Sequence, residues 1–380
     1  MFKIKTLFLS LLVLNTAHNF HTISQLPNRT VEIDGQQFLY FSGTAYLGLA
    51  QNPAFQKAIR EAQGIYGSVY GSSRNGNVQL EIYEKAESKL ASWVGAEAAL
   101  TLSSGMLAGQ AVARQLMLEG YEFIYSPDAH PAVWHLPQVN FTESFEAIIT
   151  QINHLPNFSK IAIVTNSVDA LRGKVHDFDW LNQLPESQDI TLVIDDSHGL
   201  GIIGQDYAGI FKSIPQKPNI RLIVSASLGK AMSLPGGVIF SDSQTIQNIK
   251  NSAFFGGCSP IAPDHLHAFL QTEELYKIAQ KRLKANTLAF SKKVQNLNIF
   301  KYTSDFPVFY TDHDELYDFL LSKNILIYSF AYPKPTDKAN TRIVISAWHS
   351  LEDIEILAEA CQAFYVKNKT LSLFKNQSKL

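Results

Sequence analysis

The sequence is poor in cysteine and in charged residues, and it carries no marked excess of either sign. It has two cysteines, Cys258 and Cys361, among 380 residues, which is too few for a disulfide framework and typical of a reducing compartment. Its 32 basic and 34 acidic side chains give a formal net charge of −2, so no basic field is present to hold a nucleic-acid backbone. The cysteines and histidines do not stand at zinc-site spacing. We therefore expect neither a bound metal nor a nucleic-acid partner.

A hydrophobic run long enough to span a membrane is missing as well. Near the N-terminus an apolar run over residues 7–14 follows Lys3 and Lys5, but it is far too short for a transmembrane helix. The run resembles the charged and hydrophobic regions of a secretory signal, whereas Asn15-Thr16-Ala17 is a poor cleavage site. We therefore expect an amphipathic or core-docking N-terminal helix, or a start codon placed too early, rather than a signal.

Short apolar runs alternate with helical patterns from about residue 50 to 255, in a chain that is 46% hydrophobic. The runs predict strands over residues 98–102, 122–125, 161–165, 192–195, 222–225 and 238–240. Continuous apolar strands separated by helices indicate an α/β fold with a mainly parallel sheet that helices cover on both faces. The last two strands are close enough in the chain to form a hairpin-like connection.

Several residues predict where helices begin and end. We expect Asn52-Pro53 to cap and open one helix, Asn77 to cap a second, and Gly95 to end that second helix. After about residue 256 a long helical segment (262–296), short strands and a final helix near 353–365 predict a smaller α+β domain. The predicted division is an N-terminal segment (1–50) that packs with the small domain, a large domain (51–255) and a small C-terminal domain (256–380).

Chemically active side chains follow several of the predicted strands. Asp195 ends one strand and His198 follows three residues later, at the edge where open α/β sheets bind ligands. Another strand leads into Ser103-Ser104-Gly105, where the free amides and the dipole of a helix start suit an anion such as phosphate. His130 follows a third strand, where an imidazole can stack on an aromatic cofactor. Each pattern alone is equally typical of a turn cap or a loop histidine.

One lysine, Lys230, stands in the otherwise uncharged stretch SASLGKAMSLPGG (225–237), between two apolar runs. This setting argues against a solvated face. In a pocket of small residues, desolvation and nearby cations lower the pKa of a lysine amine and free its lone pair for a Schiff base with an aldehyde. A phosphate cradle, a stacking histidine, an acid for a ring nitrogen and this lysine occur in that chain order. Together they are what pyridoxal 5′-phosphate (PLP) requires.

At this point the motifs resemble those of the α-oxoamine synthases, a group of fold-type I PLP-dependent enzymes, from about Val31 to Ala363. FSGTAYLGLAQNP (41–53) is similar to the family's F-S-x-N-D-Y-L-G-L, and DDSHGLGIIG (195–204) to D-D-x-H-G-x-G-x-x-G. SLGKA…PGG is similar to T-x-S-K-A…G-G, and NTRIVISAWHSLEDI (340–354) to R-x-R-I-x-x-x-A-x-H-T-x-E-D-I. The resemblance implies a large PLP-binding domain, a small α+β domain, and a homodimer with its sites at the subunit interface.

The resemblance also implies a role for individual residues. Asp195 would keep the ring nitrogen protonated, His198 would contact the ring hydroxyl, and Lys230 would carry the cofactor and act as the base at Cα. These three form the expected catalytic set. The complete cofactor-binding set implied by the family is Gly105, Met106, His130, Asp195, His198, Ser227 and Lys230.

The family's carboxylate-binding arginine falls on Arg342, seven residues before His349. A planar guanidinium suits bidentate binding of a carboxylate, although a surface arginine on a strand would fit the same position.

The activity implied is condensation of an amino acid with an acyl-CoA (or acyl carrier protein) thioester, with decarboxylation, as in 8-amino-7-oxononanoate synthase. Thr44-Ala45, Ala170 and Gly257 depart from the family's Asn-Asp, serine and partner-subunit threonine. These departures leave the two substrates and the acyl transfer itself open. Two alternatives remain: a PLP-dependent aminotransferase or aldolase-type lyase, and a non-catalytic protein with the PLP fold. Since PLP is made in the cytosol, we expect a cytoplasmic protein.

Overall fold

The computed structural model describes residues 21–332, 334 and 336–377, so the apolar run at 7–14 lies outside the described residues. The strands are β1 (Thr30–Ile33), β2 (Gln36–Phe41), β3 (Ala98–Leu102), β4 (Glu122–Tyr125), β5 (Lys160–Asn166), β6 (Val168–Asp169), β7 (Lys174–Val175), β8 (Asp189–Asp195), β9 (Ile220–Ser227), β10 (Gly237–Ser241), β11 (Val308–Thr311), β12 (Ile325–Ala331) and β13 (Ala339–Val344). The α-helices are α1 (Pro53–Tyr66), α2 (Glu81–Val94), α3 (Gly105–Leu118), α4 (Phe145–Asn153), α5 (Ser243–Lys250), α6 (Ala253–Gly257), α7 (Pro263–Gln271), α8 (Glu273–Val294), α9 (Leu316–Leu321) and α10 (Leu351–Gln377).

The larger sheet has six strands in the order β3-β10-β9-β8-β5-β4. Strands β4, β5, β8 and β9 run parallel, while β10 is antiparallel to both of its neighbours. Successive side chains of a strand point to opposite faces, and the sheet is buried on both. In β8, Leu192 and Ile194 pack into one hydrophobic cluster, whereas Val193 packs into the other, which contains residues of α3. The predicted α/β fold with a mainly parallel sheet is therefore confirmed.

The smaller sheet has five strands in the order β1-β2-β12-β13-β11. The sheet combines strands from the N-terminal and the C-terminal parts of the chain, which are joined where β2 pairs in parallel with β12. The helices α8 and α10 pack against each other, and α9 packs on β12. Within this sheet Arg342 of β13 lies opposite Tyr328 of β12 in register, a pairing that matters for the site below.

Two of the three predicted helix ends, at Asn52 and Gly95, are confirmed. The Asn52 side chain accepts hydrogen bonds from the amides of Ala54 and Phe55 at the start of α1, and Gly95 ends α2 in the left-handed conformation with φ 80°. The predicted cap at Asn77 is wrong, since α2 begins at Glu81. Leu80, just before the helix, is extended (φ −89°, ψ 122°), and the Gln79 side chain donates to the carbonyls of Arg74 and Gly76 in the preceding loop.

The C-terminal helices differ from the prediction at two points. The segment expected as one helix over 262–296 is broken at Thr272, which has a non-helical conformation with φ −122° and ψ 30°. The final helix, α10, is longer than predicted and runs from Leu351 to Gln377.

In the described part of the chain, no helix combines the length and the apolar character that crossing a bilayer requires. No group of three or more histidine, cysteine, aspartate or glutamate side chains in those residues is placed to hold a metal ion.

Candidate active site

The carboxyl ends of the parallel strands meet at one edge of the six-stranded sheet, as expected for a ligand site in an open α/β fold. Asp195 ends β8 and lies opposite Asn166, the last residue of β5. A chamber of about 760 Å³ opens at this edge. Five of the predicted site residues line it: His130, Asp195, His198, Lys230 and Arg342.

Lys230 reaches the chamber from a tight turn between β9 and β10. The turn is held by backbone hydrogen bonds from Leu228 to Gly236 (2.8 Å) and from Leu234 to Leu228 (2.9 Å). Burial lowers the pKa of the Lys230 amine below its ordinary value, against the opposing effect of Asp195. A larger share of uncharged amine follows, and the uncharged amine is the form that reacts with a carbonyl.

Asp195 is a buried acid with one fixed oxygen. Its Oδ1 accepts a hydrogen bond from the Ser197 amide at 2.9 Å, and its Oδ2 lies 3.5 Å from His130 Nδ1. The side chain is 7% exposed. A carboxylate held in this way has one oxygen left to pair with a protonated ring nitrogen.

The adjacent acid, Asp196, does not line the chamber; its side chain bonds to the backbone of the loop that follows β8. Its Oδ2 accepts from the Ile210 amide at 2.9 Å, and burial raises the pKa of its carboxyl to about 7. A Cβ at Gly199 or Gly209 would collide with this carboxyl group. Both glycines are therefore required for the close packing of the DDSHGLG turn.

His198 follows in that turn and bonds to a tyrosine. Its Nδ1 lies 2.9 Å from the Tyr46 hydroxyl. Burial holds the pKa of the His198 imidazole well below its usual range, and the positive charges of Lys230 and Arg342 act in the same direction. The ring is therefore neutral near pH 7 and presents one donor nitrogen and one acceptor nitrogen.

His130 is held at three points. Its backbone amide donates to Asn166 Oδ1 (3.1 Å), its Nδ1 accepts from the Ala132 amide (3.2 Å), and its Nε2 lies 2.7 Å from the Tyr332 hydroxyl. Burial lowers the pKa of the imidazole, although Asp195 opposes that effect. The result is a neutral ring with a defined orientation at the chamber wall.

Arg342 is buried, at 3% exposure, and its guanidinium lies over the Tyr328 ring at 4.0 Å from the centroid. One terminal nitrogen donates to the carbonyl of Ala170. Its Nε is buried and has no hydrogen-bond partner in the described part of the chain. A buried cation with an unpaired donor favours an anionic ligand, because an unsatisfied charged donor is costly.

The predicted phosphate-side residues, Gly105, Met106 and Ser227, are not part of the chamber lining. Ser104 caps α3 through a hydrogen bond from the Leu107 amide to its Oγ, so the amides of Gly105 and Met106 precede the first capped position and have no acceptor within the helix. A Cβ at Gly105 would lie 2.7 Å from that of Ser227. A Cβ at Gly237 would strike the backbone of Ser104 and Gly105. This crowding forms a cradle that only glycines permit, and it suits a phosphate at a helix N-terminus.

Three of the four residues that depart from the family pattern have a defined place relative to the site. Thr44 and Ala170 line the chamber, and the Ala170 carbonyl is the acceptor for Arg342. Gly257 is exposed, and a Cβ there would meet nothing within 4 Å. A further histidine near this region, His135, stacks on Phe123 at 4.1 Å between ring centroids and bonds the Tyr125 hydroxyl, outside the chamber lining.

Sequence reasoning missed four side chains of the site: Tyr46, Asn166, Tyr328 and Tyr332. Asn166 could have been found, because it directly follows the predicted strand 161–165 just as Asp195 ends its own strand. Tyr46 lies in the AYLGL motif, which was noted only for its resemblance. Tyr328 and Tyr332 lie on or after a C-terminal strand and carry no local signal, since only the fold brings them to the chamber.

The fold is that of the fold-type I PLP-dependent enzymes, as the family profile and the solved structures below agree. The chain belongs to the aminotransferase class I and II family, whose sequence profile matches residues 37–361. It is similar to an 8-amino-7-oxononanoate synthase of Aliivibrio fischeri, at 26% identity over 359 residues, 89% of this chain and 92% of the relative. It is also similar to a serine palmitoyltransferase of Sphingobacterium spiritivorum, at 26% identity over 62% of this chain and 60% of that one.

Solved structures agree on the fold. A structure of serine palmitoyltransferase with PLP superposes with a TM-score of 0.78 at 18% identity, covering 90% of this chain and 92% of that chain. The 8-amino-7-oxononanoate synthase of Francisella tularensis gives a TM-score of 0.67 at 20% identity, covering 86% of this chain and 99% of that chain. The predicted resemblance to the α-oxoamine synthases and the predicted fold type are thus confirmed.

Proposed function

We propose that this protein is a PLP-dependent α-oxoamine synthase-like transferase, which joins an amino acid to an acyl thioester with loss of carbon dioxide. The observation that carries the proposal is the meeting of Lys230, Asp195, His198, His130 and Arg342 around one chamber. These residues come from separate elements along the chain. Their convergence supplies a group for every part of the cofactor's reactive ring and a cation for the substrate.

The residues present fit PLP. The cradle at Gly105, Met106 and Ser227 would take the phosphate, and the free oxygen of Asp195 would take the ring nitrogen. Bound there, PLP supplies an electron-accepting ring that stabilises negative charge at the Cα of an amino acid. His130 would lie along the ring face, while Lys230 would hold the aldehyde carbon.

Several steps then fall to the chain's own side chains. Arg342 binds the substrate carboxylate and so orients the bonds at Cα. The Lys230 amine, with its lowered pKa, takes the Cα proton at Nζ and holds it. The neutral His198, backed by the Tyr46 hydroxyl, presents a hydrogen-bonding nitrogen beside the reacting groups.

Part of the chamber wall is apolar. Trp134, Phe141, Leu171 and Phe330 line the chamber with the polar groups. This surface suits the acyl part of a thioester delivered by CoA or by an acyl carrier protein. By analogy with the similar enzymes, the first reaction to test is one like that of 8-amino-7-oxononanoate synthase.

The proposed assembly is a homodimer, in a cytoplasmic protein. Met106 (49% exposed), Val69 (74%) and Val78 (62%) are apolar residues left uncovered in the single chain, and Gly257 is exposed as well. A second subunit would bury such side chains, since exposed apolar area favours association. The division at residues 50 and 255 likewise stays a prediction.

The proposal is tested by measuring release of free thiol from a panel of acyl-CoAs and amino acids with purified holo-protein. We expect thiol release that depends on both substrates and is lost in Lys230→Ala. Formation of the amine form of the cofactor with an amino acid, without thiol release from any pair, would instead identify an aminotransferase. Cleavage of a β-hydroxy amino acid would identify an aldolase-type lyase. A protein that neither absorbs in the visible cofactor band nor reacts would be the non-catalytic alternative.

A further inference from the structure

We propose that Tyr332 is a positioning residue that fixes the plane and the tautomer of His130 through the hydrogen bond between its hydroxyl and His130 Nε2. The inference rests on the proposed place of the cofactor against His130. It does not depend on which reaction follows.

The geometry of the pair is specific. The Tyr332 hydroxyl lies 2.7 Å from His130 Nε2. The two rings are nearly parallel, with 13° between their planes and 6.3 Å between their centroids. His130 is therefore held at both ring nitrogens, by the Ala132 amide at Nδ1 (3.2 Å) and by Tyr332 at Nε2. A ring held at both ends cannot turn about its Cβ–Cγ bond without breaking a hydrogen bond.

The same contacts decide which nitrogen carries the proton. Nδ1 accepts from a backbone amide, so in a neutral ring Nε2 must carry the hydrogen. The charged groups acting on the ring are Asp195 and Lys230, and burial outweighs Asp195 to keep the pKa of His130 low. Nε2–H then donates to the Tyr332 oxygen. The Tyr332 O–H hydrogen remains free to donate to a ligand in the chamber.

The position of Tyr332 in the fold explains why this bond matters beyond the pair. Tyr332 directly follows β12 of the five-stranded sheet, whereas His130 belongs to the loop after β4 of the six-stranded sheet. The bond thus joins the two sheets across the chamber. Close to Tyr332 in the chain, the Lys334 amide donates to Asp337 Oδ2 at 2.9 Å, and both residues line the chamber. Tyr332 is 39% exposed, so it lies at the opening of the site.

The PLP affinity and its pH dependence distinguish a positioning role of Tyr332 from a purely structural one. The test uses Tyr332→Phe, which keeps the ring and removes the hydroxyl, with Tyr365→Phe in α10 as the matched control. PLP affinity is measured by titrating apo-protein and following the visible cofactor band from pH 6 to 9. We expect Tyr332→Phe to bind PLP about 2- to 10-fold more weakly, the range of one net hydrogen bond, and to alter the pH dependence of the band. Tyr365→Phe should match the parent.

A double-mutant cycle then shows whether the effect passes through His130. His130→Phe keeps an aromatic face and removes Nε2. In that background Tyr332→Phe should add nothing to the loss of PLP affinity. Equal affinity and pH dependence for Tyr332→Phe and the parent would overturn the inference, and so would a full additional loss in the His130→Phe background. Failure of thiol release in a parent that binds PLP normally would count against the proposed reaction alone.

Discussion

Arg342 offers the sharpest test of the substrate site, because the structure shows both what holds it and what it lacks. The guanidinium lies on Tyr328 and donates to the Ala170 carbonyl, while its buried Nε has no partner in the described chain. An amino-acid carboxylate bound across the guanidinium would satisfy that donor. Arg342→Lys keeps the charge but loses the planar, two-point donor geometry and the stacking on Tyr328.

The size of the effect follows from the bonds at stake. A hydrogen bond to a charged group contributes about 1.5–3 kcal/mol, so losing one from a bidentate pair should raise the KM for the amino acid roughly 10- to 100-fold. The KM for the acyl thioester should stay within about 2-fold, because that substrate does not use the guanidinium in the proposed site. Arg342→Met, which keeps bulk but removes the charge, should weaken amino-acid binding further.

The assay is steady-state thiol release with each substrate varied in turn, together with the change in cofactor absorbance when the amino acid binds. Arg221→Lys is the matched control. Arg221 is a half-buried arginine at the start of β9, paired with Glu119 at 2.7 Å, and it does not line the chamber. An unchanged amino-acid KM in Arg342→Lys would refute the assignment of Arg342. Equal increases in both KM values would show that the variant had distorted the whole chamber.

Three further predictions follow from individual contacts. Lys230→Ala should abolish turnover, and borohydride treatment of the parent holo-protein should fix the cofactor on the peptide that contains Lys230; a label on any other lysine would contradict the site. Gly237→Ala should weaken PLP binding and destabilise the fold by about 1–3 kcal/mol, since its Cβ would strike Ser104 and Gly105, whereas Gly64→Ala in α1 meets nothing within 4 Å and should be neutral or stabilising in urea melts. Burial lowers the pKa of His349 to about 4, so the unfolded chain takes up a proton that the folded chain refuses, and stability should fall by about 2 kcal/mol from pH 7 to pH 5. His349→Gln should reduce that slope, and an equally steep slope in the variant would show that other groups cause it.

His349 also connects the loop after β13 with the end of β2. His349 Nε2 lies 2.9 Å from the carbonyl of Tyr40, and its ring stacks on Phe41 at 4.0 Å. These contacts bind the strand before the chamber to the loop after β13. The motif A-x-H, noted in the sequence only for its resemblance, thus has a structural role at this position.

Local signals predicted much of the architecture. Apolar runs located all six strands of the larger sheet, because strands that are covered on both faces of a sheet are apolar along their whole length. The predicted helix start at Asn52 and the predicted helix end at Gly95 are also confirmed. The predicted cap at Asn77 was wrong, because the chain is still extended at Leu80 and the Gln79 side chain bonds back to the carbonyls of Arg74 and Gly76. Such side-chain bonds to the backbone of a loop carry no periodic signal in the sequence.

Local patterns in the sequence indicated the cofactor, since the lysine in its uncharged turn, the strand-end acid and the glycine-bearing helix start are each recognisable over a few residues, whereas the reaction stayed open. The tertiary structure alone decided which groups share the chamber and in what state. Tyr332 is 202 residues from His130 along the chain, and Arg342 is 172 from the carbonyl it bonds. Only the packing of two sheets brings such groups together, and the resulting burial is the largest of the causes that lower the pKa values of Lys230 and His198. Desolvation is a property of the surroundings, which no short stretch of sequence contains.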